Sequence, residues 1–292
     1  MNILLCGARG FIGSHIHQAL LQAGHHVRLG GTTRRRDASL IPVDYTRDTQ
    51  SATWLPRLAG IDAVINAVGI LRDSEQRPMQ AIHTDTPKAL FEACVQAGVR
   101  RVIHVSALGV DVGHTPYATT KLAADQHLLA LTEAGKLNGL VIRPSIVFGR
   151  AGASSQLFLN LARLPLLVLP QAVLTAQVQP VAVQDLAEAV AQLVDHPERC
   201  GVLTATGPTP LPLAAFIASL RRQLGHAPAR VWALPEPLTR LSARLGDLVP
   251  ASPWCSDTLA MLGQDNVGPA QALQDILDHP TVAPEHMVAR MA

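Results

Sequence analysis

The chain is 292 residues long, 48% hydrophobic, 16% charged and only 3% aromatic, with a formal net charge of +2. This length and apolar content support one large α/β domain, or one domain with a smaller appendage, around a core of Leu, Val, Ile and Ala, and they exclude a disordered chain. The small net charge excludes a nucleic-acid partner, because RRR at 34–36 is the only dense basic run and no aromatics are interleaved with it for base stacking.

In chain order, the first apolar run is NILLCG (2–7). It has no basic n-region and no cleavage site, so it reads as a strand and not as a signal peptide. GARGFIG (7–13) follows directly and sets glycines at 7, 10 and 13 where a strand opens into a helix. Gly7 permits the tight turn, Gly10 lets backbone approach a pyrophosphate, and Gly13 allows close helix–sheet packing, while the helix N-terminus offers amide donors to phosphate. Ile12, Ile16, Ala19, Leu20 and Ala23 keep helical spacing up to a stop at Gly24. The second run, HVRLG (26–30), ends without the carboxylate that would accept hydrogen bonds from an adenosine ribose. Thr32, Thr33, Arg34, Arg35 and Arg36 follow instead, and guanidinium groups bind phosphate well, which favours NADP(H) over NAD(H). After the third run, LIPV (40–43), Asp44 is placed either to bond the adenine edge or to cap a turn.

The runs AVINAV (63–68), RVIHVS (101–106) and LVIRPS (140–145) complete a set of near-continuous apolar strands with crossover helices between them. That pattern predicts a doubly wound parallel sheet, an α/β Rossmann architecture, over residues 1–150. Between the last two runs stands YATTK (117–121). A helix there puts Tyr117 and Lys121 on one face, a phenol beside an ammonium group that would lower its pKa and fit it for proton transfer. Ser106 is the nearby hydroxyl that would complete such a device, and Ala107 follows it directly. Arg143, before Pro144, reads equally as a substrate-side charge or a core salt-bridge partner.

Beyond residue 150 proline becomes frequent and the apolar runs shorten. Residues 176–207 return to the first domain, with VLTATG (202–207) as an edge strand, while 151–175 and 208–292 form a small, mostly helical cap. LFLNLARLPLLVLP (157–170) is too short and interrupted to span a bilayer; it reads as a lid or core helix, with peripheral membrane contact as the other expectation. Within it Asn160 and Arg163 are candidates to face a substrate pocket. Four separated cysteines read as buried reduced thiols, which points to a cytoplasmic location. The histidines give no HxxxH or HExxH pair, and no metal site is expected.

Taken with INAVG (65–69), YATTK and RPSIVFG (143–149), the glycine loop makes the chain resemble the short-chain dehydrogenase/reductase superfamily, in its extended and atypical (NAD-dependent epimerase/dehydratase-like) branch. VINAVGILR, HVSALGVD and MLGQDNV (261–267) are similar to proteins related to the NAD(P)-binding accessory subunit of respiratory complex I. The resemblance implies that Arg9, Phe11 and Ile12 join the three glycines around the pyrophosphate, that Asp44 contacts adenine, and that Ala67, Val68 and Gly69 pass beside the adenosine ribose. It implies Tyr117 as general acid/base, Lys121 on the nicotinamide ribose, and Pro144, Ser145, Ile146 and Val147 along the nicotinamide pocket. It also implies a departure: counting as in extended members places Ala107 at the catalytic hydroxyl position and makes Ser106 structural, unless Ser106 substitutes. The expected function is an oxidoreductase or epimerase acting on a small molecule, and the alternative is a nucleotide-bound structural, assembly or redox-sensing protein linked to respiratory or quinone metabolism. A homodimer through the helices beside the fourth and fifth strands is a further expectation of the resemblance.

Overall fold

A computed structural model describes residues 1–32, 40–248 and 254–291. Six strands alternate with helices in the first half: β1 (Asn2–Cys6), α1 (Phe11–Gln22), β2 (His26–Gly31), β3 (Leu40–Pro42), α2 (Ser51–Trp54), β4 (Ala63–Asn66), α3 (Thr86–Ala97), β5 (Arg101–Val105), α4 (Pro116–Glu133) and β6 (Asn138–Pro144). β1 to β6 pair in parallel: β1 lies between β2 and β4, β2 continues to β3, and β4 continues through β5 to β6. Every residue of β4 and β5 is buried, as strands covered on both faces by helices must be.

In the second half come β7 (Val147–Phe148), α5 (Ala153–Arg163), β8 (Leu166–Pro170), α6 (Gln171–Thr175), β9 (Gln177–Val178), β10 (Val181–Ala182), α7 (Val183–Val194) and β11 (Gly201–Ala205). After these follow β12 (Leu211–Pro212), α8 (Leu213–Gln223), β13 (Arg230–Leu234), α9 (Glu236–Asp247) and α10 (Ser256–Leu262). β11 joins the large sheet beside β6, giving the order β11-β6-β5-β4-β1-β2-β3 and making 201–205 the edge strand. The strand order reverses between β1 and β4, and such a switch point opens a crevice for ligands beyond the carboxyl ends of the strands.

The chain divides into two compact units: Met1–Arg143 with Leu186–Leu203, and Pro144–Asp185 with Thr204–Ala292. The second packs α5 and α8 through edge-to-face phenylalanines, Phe216 lying 5.5 Å from Phe148 and 5.9 Å from Phe158 between ring centroids. Here the structure corrects the expectation of a helix through 157–170. α5 stops at Arg163 because Pro165 has no N–H to donate and biases Leu164 to an extended conformation, and 166–170 forms β8, paired in parallel with β13. Of the four cysteines, Cys6, Cys94 and Cys255 are buried, but Cys200 is exposed, contrary to the expectation for all four.

Candidate active site

The glycine loop is a cradle that side chains would fill. Gly7 takes a φ of +87°, and a Cβ there would lie 2.9 Å from the Ala67 carbonyl group. A Cβ on Gly13 would lie 2.1 Å from the Gly7 carbonyl oxygen, so only glycine lets α1 start this close to β1. The Gly10 N–H closes the turn on that same oxygen at 2.9 Å. α1 begins at Phe11 with no side-chain cap, which leaves its first-turn amides facing outward as anion donors. Phe11 and Ile12 are half-buried and Arg9 is exposed. These residues fit a dinucleotide pyrophosphate.

At the end of β2, Gly30 and Gly31 present no side chain. Thr33, Arg34 and Arg35 lie outside the described residues. Asp44 caps its own turn: its Oδ1 accepts from the Thr46 hydroxyl at 2.7 Å and the Thr46 N–H at 2.9 Å, and the Thr46 hydroxyl is the main cause that lowers its pKa. Ala67 and Val68 are half-buried after β4, and Gly69 is exposed.

On α4, Thr115 accepts the Ala118 N–H and Pro116 takes the first turn, which starts the helix one residue before Tyr117. Tyr117, Lys121 and Asp125 then follow at four-residue steps along one face. Lys121 is 3% exposed; its ammonium donates to the carbonyls of Val105 (3.0 Å) and Val68 (3.3 Å). Burial lowers its pKa to about 8, against an opposing pull from Asp125. The Tyr117 ring is half-buried, and among the described residues its hydroxyl has no protein partner. Its pKa is pushed up to about 12, first by burial and then by the Asp125 carboxylate. The expected lowering by Lys121 is therefore not found: burial and the Asp125 carboxylate both disfavour the phenolate.

His83 belongs to the same cluster, although no metal-ligand spacing or other motif in the sequence signals it. It sits on a π-helical turn, Ala81–Asp85, ahead of α3. Its Nε2 accepts the Ile70 N–H at 3.0 Å, so the proton lies on Nδ1, which meets the Thr120 hydroxyl at 3.1 Å. Its ring stands edge-on to Tyr117 with centroids 5.3 Å apart. Burial, reinforced by Lys121, lowers its pKa to about 3, so it stays neutral and serves as a hydrogen-bonded brace between the loop after β4 and α4.

Ser106 faces another way. Its hydroxyl donates to Asp125 Oδ2 at 2.9 Å, and Arg143 Nε donates to the same oxygen at 3.0 Å. Arg143 also bonds the half-exposed Asp111 at 3.0 Å, and its pairing with the buried Asp125 favours the core salt-bridge reading of that residue. Asp125 is wholly buried; burial raises its pKa, while Ser106 and Arg143 hold it down. Behind it, Tyr45 donates to Asn66 Oδ1 at 2.9 Å and Asn66 bonds His104 at 3.1 Å, whose Nε2 stands 3.7 Å from Asp125 Oδ1. In the second unit Pro144 is buried and Ile146 packs on the phenylalanine core, while Val147 pairs with Val181. Arg163 bonds Asn160 at 3.0 Å on the exposed side of α5. Among the described residues no group of three or more His, Cys, Asp or Glu side chains is placed to hold a metal.

Comparison with known proteins places this arrangement. The model of the NAD dependent epimerase/dehydratase family matches residues 3–202, a span that holds the glycine loop, His83, Ser106, Tyr117, Lys121 and Asp125. The chain is 28% identical over 194 residues to the ceramide reductase of Caulobacter vibrioides, covering 63% of this chain and 58% of that protein, less than two thirds of its length. It is 25% identical over 272 residues to the mitochondrial NADH dehydrogenase (ubiquinone) 1 alpha subcomplex subunit 9 of Rattus norvegicus, covering 80% of this chain and 70% of that one. The solved UDP-glucuronic acid 4-epimerase of Bacillus cereus, in complex with UDP-glucuronic acid and NAD, shares the fold at a TM-score of 0.71 and 19% identity, over 100% of this chain and 98% of that one. With a glycine cradle at the first strand–helix junction, a Tyr–Lys pair on α4 and a family match across most of the chain, this protein belongs to the NAD dependent epimerase/dehydratase family and has the extended short-chain dehydrogenase/reductase fold.

Proposed function

We propose that the protein is an NADP(H)-binding oxidoreductase or epimerase acting on a small molecule, with Tyr117 as general acid/base. The observation that carries this reading is the pairing on α4. The Tyr117 hydroxyl has no protein partner among the described residues, and it lies one turn from an ammonium group with a donor to spare. Lys121 has three N–H donors and engages two backbone carbonyls, so one remains for a ribose hydroxyl. The first-turn amides of α1 would hold the pyrophosphate, and Arg34 and Arg35 would select the 2′-phosphate. A bound nicotinamide supplies hydride exchange with a substrate carbon. Tyr117 gives or takes the proton at the substrate oxygen, and His83 keeps its ring in place.

Ser106 is a positioning residue in this scheme, holding Asp125 rather than the substrate. The four free thiols suit a reducing compartment such as the cytoplasm. The test is Tyr117→Phe assayed with NADPH against a ketone, quinone and sugar-nucleotide panel; turnover unchanged by the substitution overturns the role of Tyr117.

A second reading rests on Ser106. With its hydroxyl engaged by Asp125 and Ala107 beside it, the proton relay lacks its usual hydroxyl, as suits a nucleotide-bound structural, assembly or redox-sensing protein. Rapid NADPH oxidation by the pure protein with any member of that panel contradicts it.

A further inference from the structure

α9 is built inside out. It turns Thr239, Ala243 and Gly246 inward, while Leu238, Leu241, Leu245 and Leu248 are 52%, 54%, 57% and 78% exposed. At about 100° per residue these four leucines fall within an arc of about 80°, one continuous stripe facing solvent. Arg240 and Arg244 border the stripe on one side, where they line a shallow depression with Glu236, Pro237 and Leu241. β13 precedes α9 and exposes Trp232 (60%) beside Val168 on the paired strand β8, with Arg230 beside Leu166 on the same face.

Charge in this unit is segregated. Residues 204–248 carry four exposed arginines (Arg222, Arg230, Arg240, Arg244) against Glu236, which pairs with Arg240, and Asp247, while Arg221 is buried on backbone carbonyls; 249–292 carry five carboxylates against Arg290. The apolar stripe thus lies wholly within the basic segment.

We propose that the leucine stripe of α9, with Trp232, seats this protein on an anionic lipid surface. Leucines and an exposed tryptophan enter the acyl boundary while the bordering arginines meet lipid phosphates, the pattern of a helix lying in the membrane interface. Charge complementarity favours a negatively charged membrane over a second copy of the chain packed antiparallel, since that copy would oppose arginine to arginine along one edge of the stripe. No helix among the described residues is long and apolar enough to cross a membrane, so the contact is peripheral. The inference does not rest on the catalytic reading.

The test is co-sedimentation of the full chain with vesicles of phosphatidylcholine containing one quarter phosphatidylglycerol, and with phosphatidylcholine alone, beside the oligomeric state by analytical ultracentrifugation. The expected result is binding to the anionic vesicles that weakens with salt. Binding should fall about tenfold or more in the double variant Leu241→Ser, Leu245→Ser and fall less in Arg244→Gln, with NADPH affinity unchanged in both. Equal binding to both vesicle types overturns the proposal. So does an unaltered double variant, absence of binding, or a leucine-dependent dimer that ignores vesicles.

Discussion

A helix ordinarily buries its apolar side and turns its charges to water; α4 and α9 each depart from this, in opposite senses. α4 carries a buried ammonium and a buried carboxylate into the first unit, with Lys121 and Asp125 both almost fully removed from solvent. α9 brings small residues inward in the second unit and leaves four leucines outside. Each arrangement costs stability unless something offsets it. On α4 the offset is within the chain: Val68 and Val105 accept from the ammonium, and Ser106 and Arg143 donate to Asp125 Oδ2, while Oδ1 has only His104 Nε2 at 3.7 Å. On α9 the leucines stay more than half exposed, and the lipid contact proposed above would supply the offset. Buried charge with partners marks a site, and exposed apolar surface without them marks a contact.

The comparison breaks first at Asp125. Asp125→Ala strips the buried Arg143 and Ser106 of their shared acceptor and should cost about 3 to 5 kcal/mol in denaturant unfolding. A loss under about 1 kcal/mol would mean the α4 network is solvated and the contrast with α9 is false. Next comes pH. Lys121 titrates near 8 in the folded chain against an ordinary 10.5, so between roughly pH 8 and pH 10 the unfolded state binds more protons and stability rises with pH. Relative to Lys121→Met, the wild-type protein should gain about 2 to 3 kcal/mol across that window, measured as the difference in unfolding free energy.

Ser106→Ala removes one hydrogen bond to a charged acceptor and should cost about 1.5 to 3 kcal/mol. Its effect on turnover should be well below that of Tyr117→Phe. A hundredfold loss of kcat with little loss of stability would instead make Ser106 the catalytic hydroxyl. The smallest effect is expected on α9. In the absence of lipid, Leu241→Ser with Leu245→Ser should shift stability by no more than about 0.5 kcal/mol per site, because both side chains are already in water. A large loss there would show that the stripe is part of the folded core.

How much of this was legible in the sequence differs between the two regions. The strands of the large sheet announce themselves as apolar runs, because both faces of a parallel sheet are buried and most side chains there are apolar, with Asn66, Arg101 and His104 as hydrogen-bonded exceptions. AVIN and RVIHV are such cases. The glycine loop is equally plain, since its spacing is set by backbone contacts that no other residue tolerates. The partners of the site were not legible. Asp125 and His83 lie in the crossover segments between strands, and their roles come from contacts with Ser106, Arg143 and Ile70 distant in the chain. α9 was hidden for the opposite reason: its leucine periodicity says that one face is apolar but not whether that face points inward. The strand at 166–170 departs from the helix expected over 157–170 because Pro165 is the local signal that ends α5.

The most direct test of the central claim is Tyr117→Phe, compared with the wild-type protein for NADPH affinity and for turnover of whichever panel substrate the wild type accepts. Phenylalanine keeps the ring against His83 and removes only the hydroxyl. The account predicts unchanged NADPH affinity, within about twofold, with turnover lower by about a hundred- to ten-thousandfold. Turnover equal to that of the wild type, with NADPH affinity unchanged, would contradict it.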